Sequence, residues 1–410
     1  MLKLTSQFYF CPFFLSMDTY SGCTHNCQYC FAAWFNMTNG ACASNKTDFR
    51  VAFPREVKEL NREMNRKGPE AISLALDLDM PIHIGGMSDP FQPVERIYHN
   101  TKKALELIGN HPVIISTKNI IAADYFDLLK QNKKNVLQVS ITTFDEKRAA
   151  ILESGASTPQ QRLELLRAAK KEGIRTVCRL QPYIPRIMNE EEQVAFANNL
   201  KGAADALTLE FLKLTTFQTQ AVQNMFANLN KAAGYNTRTF YKTWGDKVTT
   251  DYELALRYKL EDIIRIRDAA HAAGLEFYSA DNALRIMGDG PCCCGVPENW
   301  FDSKHKAFGN RLPFLAAQKE EPIVFDEFYA DAPIMQAKLF EWTNPHDWGK
   351  GETAKNMTFL DGLRMAWQKQ NDPNNPANFF ANLRRGPKPM TIIHNKNWLK
   401  DNMPNSLSNF

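Results

Sequence analysis

The stretch SGCTHNCQYCFA, residues 21–32, places Cys23, Cys27 and Cys30 at C-x3-C-x2-C spacing. A closed tetrahedral metal site takes four ligands, and this loop offers three thiols. Three thiolates on one short loop match three of the four irons of a [4Fe–4S] cluster and leave the fourth iron open to a small chelating molecule. The competing reading is a structural Cys3His zinc site completed by His25. His25 stands two residues from both Cys23 and Cys27, outside the usual pairing of zinc ligands.

Around this loop, short apolar runs alternate with helical periods. FFLSMDTY (13–20) leads into the cysteines. PIHIGG (81–86), PVIIST (112–117), VLQVSIT (136–142), TVCRLQ (176–181), ALTLEFL (206–212) and LEFYSA (275–280) follow, rich in β-branched and aromatic residues. PREVKELNREM (54–64) and VERIYHNTKKALELIG (94–109) carry apolar residues on one helical face. STPQQRLELLRAAKKEG (157–173) opens on Ser-Thr-Pro and closes on Gly173, the signature of a capped helix. Repeated βα units imply parallel strands with right-handed crossovers, and functional groups at the C-terminal strand ends. The expected architecture is α/β: a partial (β/α)6 TIM-like barrel within residues 1–285. A Cys-rich loop and C-terminal extension, residues 286–410, then cover the barrel or bind substrate.

The bulk numbers fit a globular protein. Of 410 residues, 44% are hydrophobic and 23% charged, enough for a sizeable core. A net charge of +4 is too small to argue by itself for nucleic acid or an anionic membrane. No apolar run approaches the roughly 20 residues that span a bilayer. MLKLTSQFYFCPFFLSMDTY has the apolar look of a signal peptide but lacks a small-residue cleavage site, so the expected location is cytoplasmic. The nine cysteines (11, 23, 27, 30, 42, 178, 292, 293 and 294) fall largely into two tight clusters. That pattern suits metal binding or thiol chemistry better than a disulfide framework.

With an aromatic residue, Tyr29, before its last cysteine, the loop resembles the signature of the radical S-adenosylmethionine (SAM) enzymes. YSGCTHNCQYCFA, GGMSDPFQPVER, STKN, LESGASTPQQRLELLRAAKKEGI and PYIP resemble the spore photoproduct lyase branch, over about residues 18 to 190. The resemblance implies a barrel fold and a catalytic [4Fe–4S] cluster on Cys23, Cys27 and Cys30. It implies that SAM binds the open iron, and that an electron donor such as flavodoxin or ferredoxin reduces the cluster. SAM then yields a 5′-deoxyadenosyl radical that abstracts a hydrogen atom from substrate. By position, Tyr29 and Phe31 would flank the adenine. Gly85 and Gly86 end the strand that usually carries Gly-Gly-Glu. Met87 replaces that acid, so Ser88 and Asp89 become the polar candidates. Lys118 would pair with the SAM carboxylate, and Ser140 and Arg179 would face the barrel mouth.

Plainer roles stand beside these. Ser88-Asp89-Pro90 also reads as a cap or turn. Lys118 and Arg179 also read as mouth charges paired with Glu153 or Glu210, and Ser140 as a small core residue. Photoproduct lyases carry a cysteine just before the Ser-Asp pair, thought to return a hydrogen atom. Gly86 and Met87 stand there in this chain, so thymine-dimer splitting by that route is not expected. Cys178 is the alternative donor, or a core thiol. Asp281 and Arg285, after the last strand, are candidates to polarise substrate.

PCCCGVP (291–297) offers Cys292, Cys293 and Cys294 to an auxiliary iron–sulfur cluster completed by Cys11 or Cys42, to a redox relay, or simply to a closing loop. Near the C-terminus, Arg384, Arg385, Lys388, Lys396 and Lys400 lie among Phe379, Phe380 and Trp398. Such a mixture grips a nucleic-acid strand, or packs its aromatics on the barrel and leaves its charges in water. The expected function is a radical SAM enzyme acting on DNA or a nucleobase. The alternatives are a peptide or small metabolite as substrate, or a metal-stabilised nucleic-acid-binding protein without catalysis.

Overall fold

The computed structural model describes residues 2–5, 10–38, 48–68, 70–300, 308–338 and 357–403. Its centre is one eight-stranded sheet in chain order: β1 (Lys3–Leu4), β2 (Leu15–Met17), β3 (Ile82–Ile84), β4 (Val113–Thr117), β5 (Val136–Ser140), β6 (Arg175–Tyr183), β7 (Ala206–Phe211) and β8 (Glu276–Ser279). β1 is antiparallel to β2, and β2 through β8 are parallel throughout. Every residue of β4 and β5 is buried, as expected of parallel strands covered on both faces. The sheet does not pair β8 with β1, so the barrel is partial. It has seven parallel strands where six βα units were expected. The additional one is LEFYSA, the last of the apolar runs in the sequence, which pairs with β7.

Local chemistry sets the helices. Helix α1 (Phe31–Thr38) begins directly after Cys30, α2 (Glu146–Leu152) follows an Asp145 cap, and α3 is Pro159–Lys171. Thr158 and Gln161 form a reciprocal capping box ahead of α3, with Pro159 at its first position. An insertion between β7 and the helix Leu260–Ala272 carries two helices and a three-stranded sheet. No sequence pattern announced it.

The extension packs on the barrel. A single hydrophobic cluster includes Phe14, Leu137 and Leu166 of the barrel together with Phe308, Phe359, Trp367, Phe380 and Trp398. Phe379 stacks on Phe10 at 3.6 Å, and Phe14 lies against Phe308 and Phe359. Of the two readings of the tail aromatics, the structure takes the packed one. Among the described residues, no helix is long and apolar enough to cross a membrane.

Candidate active site

The cysteine loop sits at the C-terminal end of β2. Two distant segments hold it. From one side comes SDPFQ (88–92). The buried amide of Gln92 accepts from Thr24 N at 2.9 Å and donates to the Gly22 carbonyl at 3.1 Å. Asp89 pairs with His25 Nδ1 at 3.3 Å, and Asn119 Nδ2 stands 3.3 Å from His25 Nε2. Both ring nitrogens thus face protein groups, which removes His25 as the fourth ligand of a zinc site.

From the other side comes LESGA (152–156). Cys27 and Glu153 form an antiparallel bridge, Gln28 N donates to the Leu152 carbonyl at 2.8 Å, and Gly155 N donates to the His25 carbonyl at 2.9 Å. Asn26 Nδ2 reaches Ser154 Oγ at 3.0 Å. A Cβ on Gly155 would stand 2.4 Å from the Thr24 carbonyl oxygen and 2.8 Å from His25 Cα. Only glycine allows this approach, because backbone atoms cannot give way.

Glu153 is the hub. Its carboxylate accepts from the Tyr29 hydroxyl, from Thr142 Oγ1 at 2.9 Å and from Arg162 Nη2 at 2.5 Å. Both members of the ion pair are buried, and Arg162 also donates to the Ser140 carbonyl at 2.6 Å. Tyr29 therefore differs from its expected role. It is 5% exposed, and its hydroxyl anchors the loop, so its ring is not a free face for adenine. Phe31 is 61% exposed and is the aromatic with an open face.

The three thiols differ in their surroundings. The N-terminus of α1 points at Cys30, whose sulfur accepts from Ala33 N at 3.4 Å. Burial raises the pKa values of Cys27 and Cys30, and the Lys118 ammonium acts in the opposite sense on both. For Cys23, burial is outweighed by His25, which brings the thiol below its usual value. Burial disfavours the charge on His25 in turn, but Asp89 and Cys23 lift its pKa to about 10. Cys27 feels the charges of both Cys23 and Cys30, so the three sulfurs share one locale. Among the described residues, no three His, Cys, Asp or Glu side chains are gathered tightly enough to hold a single metal ion. A cluster gives each thiolate its own iron, so its ligands stand further apart than those around one ion. Three thiols and a nearby cation fit such a cluster, and the adjacent carboxylates, Asp89 and Glu153, are committed to His25 and Arg162.

Lys118 ends β4. Its Nζ lies 5.8 Å from the Tyr29 ring centre and has no hydrogen-bond or carboxylate partner among the described residues. Gly85 ends β3 with φ +97°, and an added Cβ would strike the Ser116 carbonyl oxygen at 2.7 Å. A side chain at Gly86 would meet open space.

The neighbouring polar candidates are already engaged. Ser88 Oγ donates to the Tyr20 carbonyl at 2.8 Å. Asp89 accepts from Phe91 N, Thr117 Oγ1 and Lys118 N. The turn-forming role of Ser88 and Asp89 is the one observed, with Asp89 also orienting His25. Asp18, unmarked in the sequence, accepts from Met87 N at 2.7 Å and Ser88 N at 3.1 Å and so shapes the same strand end.

Inside the barrel, a polar chain crosses five strands. His83 Nε2 lies 2.9 Å from Ser116 Oγ, which contacts Gln138 Oε1 at 2.7 Å and Arg179 Nη1 at 2.7 Å. Arg179 continues to Gln181, and Gln181 to Glu210. Arg179 therefore faces the lumen, paired in register with Ser140. Its partners are Ser116 and Gln181, not Glu210 directly. Burial and the Arg179 charge depress His83 to about 3, so its imidazole is neutral at pH 7.

Two expected catalytic groups fall elsewhere. Cys178 is fully buried in the apolar layer that the sheet shares with its helices, on the strand face opposite Arg179, because successive strand residues alternate. It cannot meet a substrate in the lumen. Asp281 is held in a buried pair with Lys259 Nζ at 2.7 Å and offers no free carboxylate. Arg285 donates to the Ser279 carbonyl and Asn282.

A family model described as the radical SAM superfamily matches residues 17–198. An uncharacterised protein, ORF301, of Acidianus two-tailed virus is 30% identical over 170 residues, 40% of this chain and 51% of that protein. A radical SAM Nalpha-GlyT isomerase of Pseudomonas phage M6 is 23% identical over 178 residues, 43% of this chain and 34% of that one. The chain thus spans about half of the length of the first relative and about a third of the second. Among solved structures, a spore photoproduct lyase variant is similar at a TM-score of 0.48 with 18% identity, covering 68% of this chain and 80% of that one. SuiB of Streptococcus suis bound to S-adenosylmethionine is similar at 0.43 with 12% identity, covering 66% and 51%. The part of the chain that matches the radical SAM superfamily model, residues 17–198, carries the three clustered thiols at the mouth of the partial parallel barrel.

Proposed function

We propose that this protein binds a [4Fe–4S] cluster through Cys23, Cys27 and Cys30 and abstracts a hydrogen atom from a polar substrate held in the barrel lumen. The observation that carries this reading is the double clamp on the cysteine loop, which presents three thiols beside an unpaired Lys118 above a polar lumen. When bound, the cluster supplies the electron that splits SAM and so the radical that attacks substrate. The chain's own residues do the rest. Glu153, Gln92 and Gly155 fix the loop, Lys118 pairs with the carboxylate of SAM, and Phe31 lies against the adenine. Arg179, Gln181 and Glu210 offer hydrogen bonds and charge to a substrate beneath. A small redox protein of the flavodoxin or ferredoxin kind supplies the reducing electron.

DNA or a nucleobase is the second reading for the substrate. Arg384, Lys388, Lys396 and Lys400 are exposed and suited to phosphate contacts. Phe380 and Trp398 are buried, however, and Phe379 is stacked on Phe10, so base stacking by the tail is not part of it.

Anaerobic reconstitution tests the main reading. The wild-type protein is expected to take up iron and sulfide at Cys23, Cys27 and Cys30 and to cleave SAM under dithionite. Cys27→Ala is expected to abolish cleavage with the circular dichroism spectrum unchanged. Stoichiometric zinc at these three thiols, with no iron uptake, overturns the reading. Incubation with deuterated candidates, DNA included, and detection of label in 5′-deoxyadenosine identifies the substrate.

A further inference from the structure

The second cysteine group lies at the opposite end of the barrel. The loop after β8 turns beneath the lumen. Gln138 Nε2 donates to the Cys294 carbonyl at 2.9 Å, Thr208 Oγ1 to the Cys293 carbonyl at 3.0 Å, and Arg175 Nε to the Gly295 carbonyl at 3.1 Å. Cys292 and Cys294 join Phe13, Ile114, Val136, Val177, Ala206 and Tyr278 in a small apolar cluster of their own, with Cys11 and Cys293 packed against it. Cys11 comes from the segment before β2, and Cys292–Cys294 from the segment after β8.

All four thiols therefore pack at one apolar cluster. Cys294 N donates to Cys292 Sγ at 3.3 Å, and the charges of Cys11 and Cys293 act on Cys292. Cys42, the other candidate to complete the group, lies outside the described residues. The feature that asks for an explanation is Arg285. Its side chain is buried at 6% exposure and contacts the Cys293 thiol, and no carboxylate pairs with it among the described residues. Its Nε is buried with no hydrogen-bond partner at all. A buried guanidinium without an anion is costly. Neutral thiols do not offset that charge, whereas a thiolate-bound metal carries net negative charge that does.

We propose that Cys11, Cys292, Cys293 and Cys294, with Arg285 as counter-charge, form a second, thiophilic metal centre at the closed end of the barrel. Four thiolates make a complete tetrahedral set, suited to zinc or to an iron–sulfur cluster. The thiols are not drawn together around one ion in this structure, and neither are Cys23, Cys27 and Cys30. Loading releases the thiol protons and couples metal binding to folding. The placement supplies a purpose. The sheet is open between β1 and β8, and a metal joining the lead-in of β2 to the exit of β8 ties those two edges together at the foot of the barrel. The centre is independent of the reading given to Cys23, Cys27 and Cys30.

The test uses the full-length Cys23→Ala, Cys27→Ala, Cys30→Ala variant, purified anaerobically and analysed for zinc, iron and sulfide. Retention of about one zinc per chain assigns a mononuclear site, and about four irons with sulfide assigns a cluster. Adding Cys11→Ser and Cys293→Ser is expected to remove that metal, and chelation of the parent variant to lower its Tm. If the parent variant is folded yet holds neither metal as purified, nor after reconstitution with zinc or with iron and sulfide, the proposal is wrong. Metal that survives the Cys11 and Cys293 substitutions overturns the ligand assignment. Failure of the wild-type protein to cleave SAM, with this second metal present, counts against the catalytic reading alone.

Discussion

Glu153 shows how one side chain organises the site. Burial opposes its ionisation, yet Arg162, Lys118 and the Tyr29 hydroxyl hold its carboxyl below the usual range. Glu153→Ala leaves the Arg162 guanidinium buried and uncompensated, so a loss of about 3–5 kcal/mol is expected in urea unfolding, together with loss of bound iron. The pH dependence follows from the sign of the shift. A carboxyl with a depressed folded pKa adds stability above its unfolded value, near 4.3, and that stability is lost as pH falls toward the folded value. Stability below about pH 5 is therefore expected to fall less steeply in Glu153→Gln than in the wild type. Lys118 makes the complementary prediction for binding. Lys118→Met is expected to raise the KM for SAM about tenfold, the loss of one charge-assisted hydrogen bond, with the fold unchanged. An unaltered KM removes Lys118 from the cofactor site.

At the scale of elements, the conspicuous motifs turn out to be parts of one device. SDPFQ and LESGA each grip a different half of the cysteine loop, through Gln92 and Asp89 on one side and Glu153 and Gly155 on the other. Gly155→Ala puts a methyl group against the backbone of Thr24 and His25. It is expected to destabilise the protein by about 1–3 kcal/mol in thermal unfolding and to lower cluster loading. Full loading with an unchanged Tm shows that the loop can back away. The strands that carry the site were legible as β-branched runs, and α3 was legible from its Thr-Pro start. Gln92, Asp18 and Arg162 were not, because a buried amide or ion pair leaves no periodic trace. Cys178 was placed on the right strand, but its side followed only once the register of β6 against β5 was known.

For the whole molecule, the extension and barrel share one core, and the basic tail keeps its charges in water. If nucleic acid is the substrate, binding is expected to weaken steeply with salt. Arg384→Ala with Lys388→Ala would then flatten the slope of log Kobs against log salt by about two phosphate contacts. Salt-independent binding, or none, removes the nucleic-acid reading. The sequence by itself determined the three-thiol loop, the α/β order and the likeness to the radical SAM superfamily over residues 17–198, because ligand spacing and hydrophobic period are local properties of a chain. Only the tertiary structure decided the rest. It buried the tail aromatics, turned Cys178 away from the lumen and committed Asp281 to Lys259. It also brought Cys11 to Cys292–Cys294 around Arg285. Each of these depends on which face a residue presents and what lies opposite, and packing between segments far apart in the chain sets both.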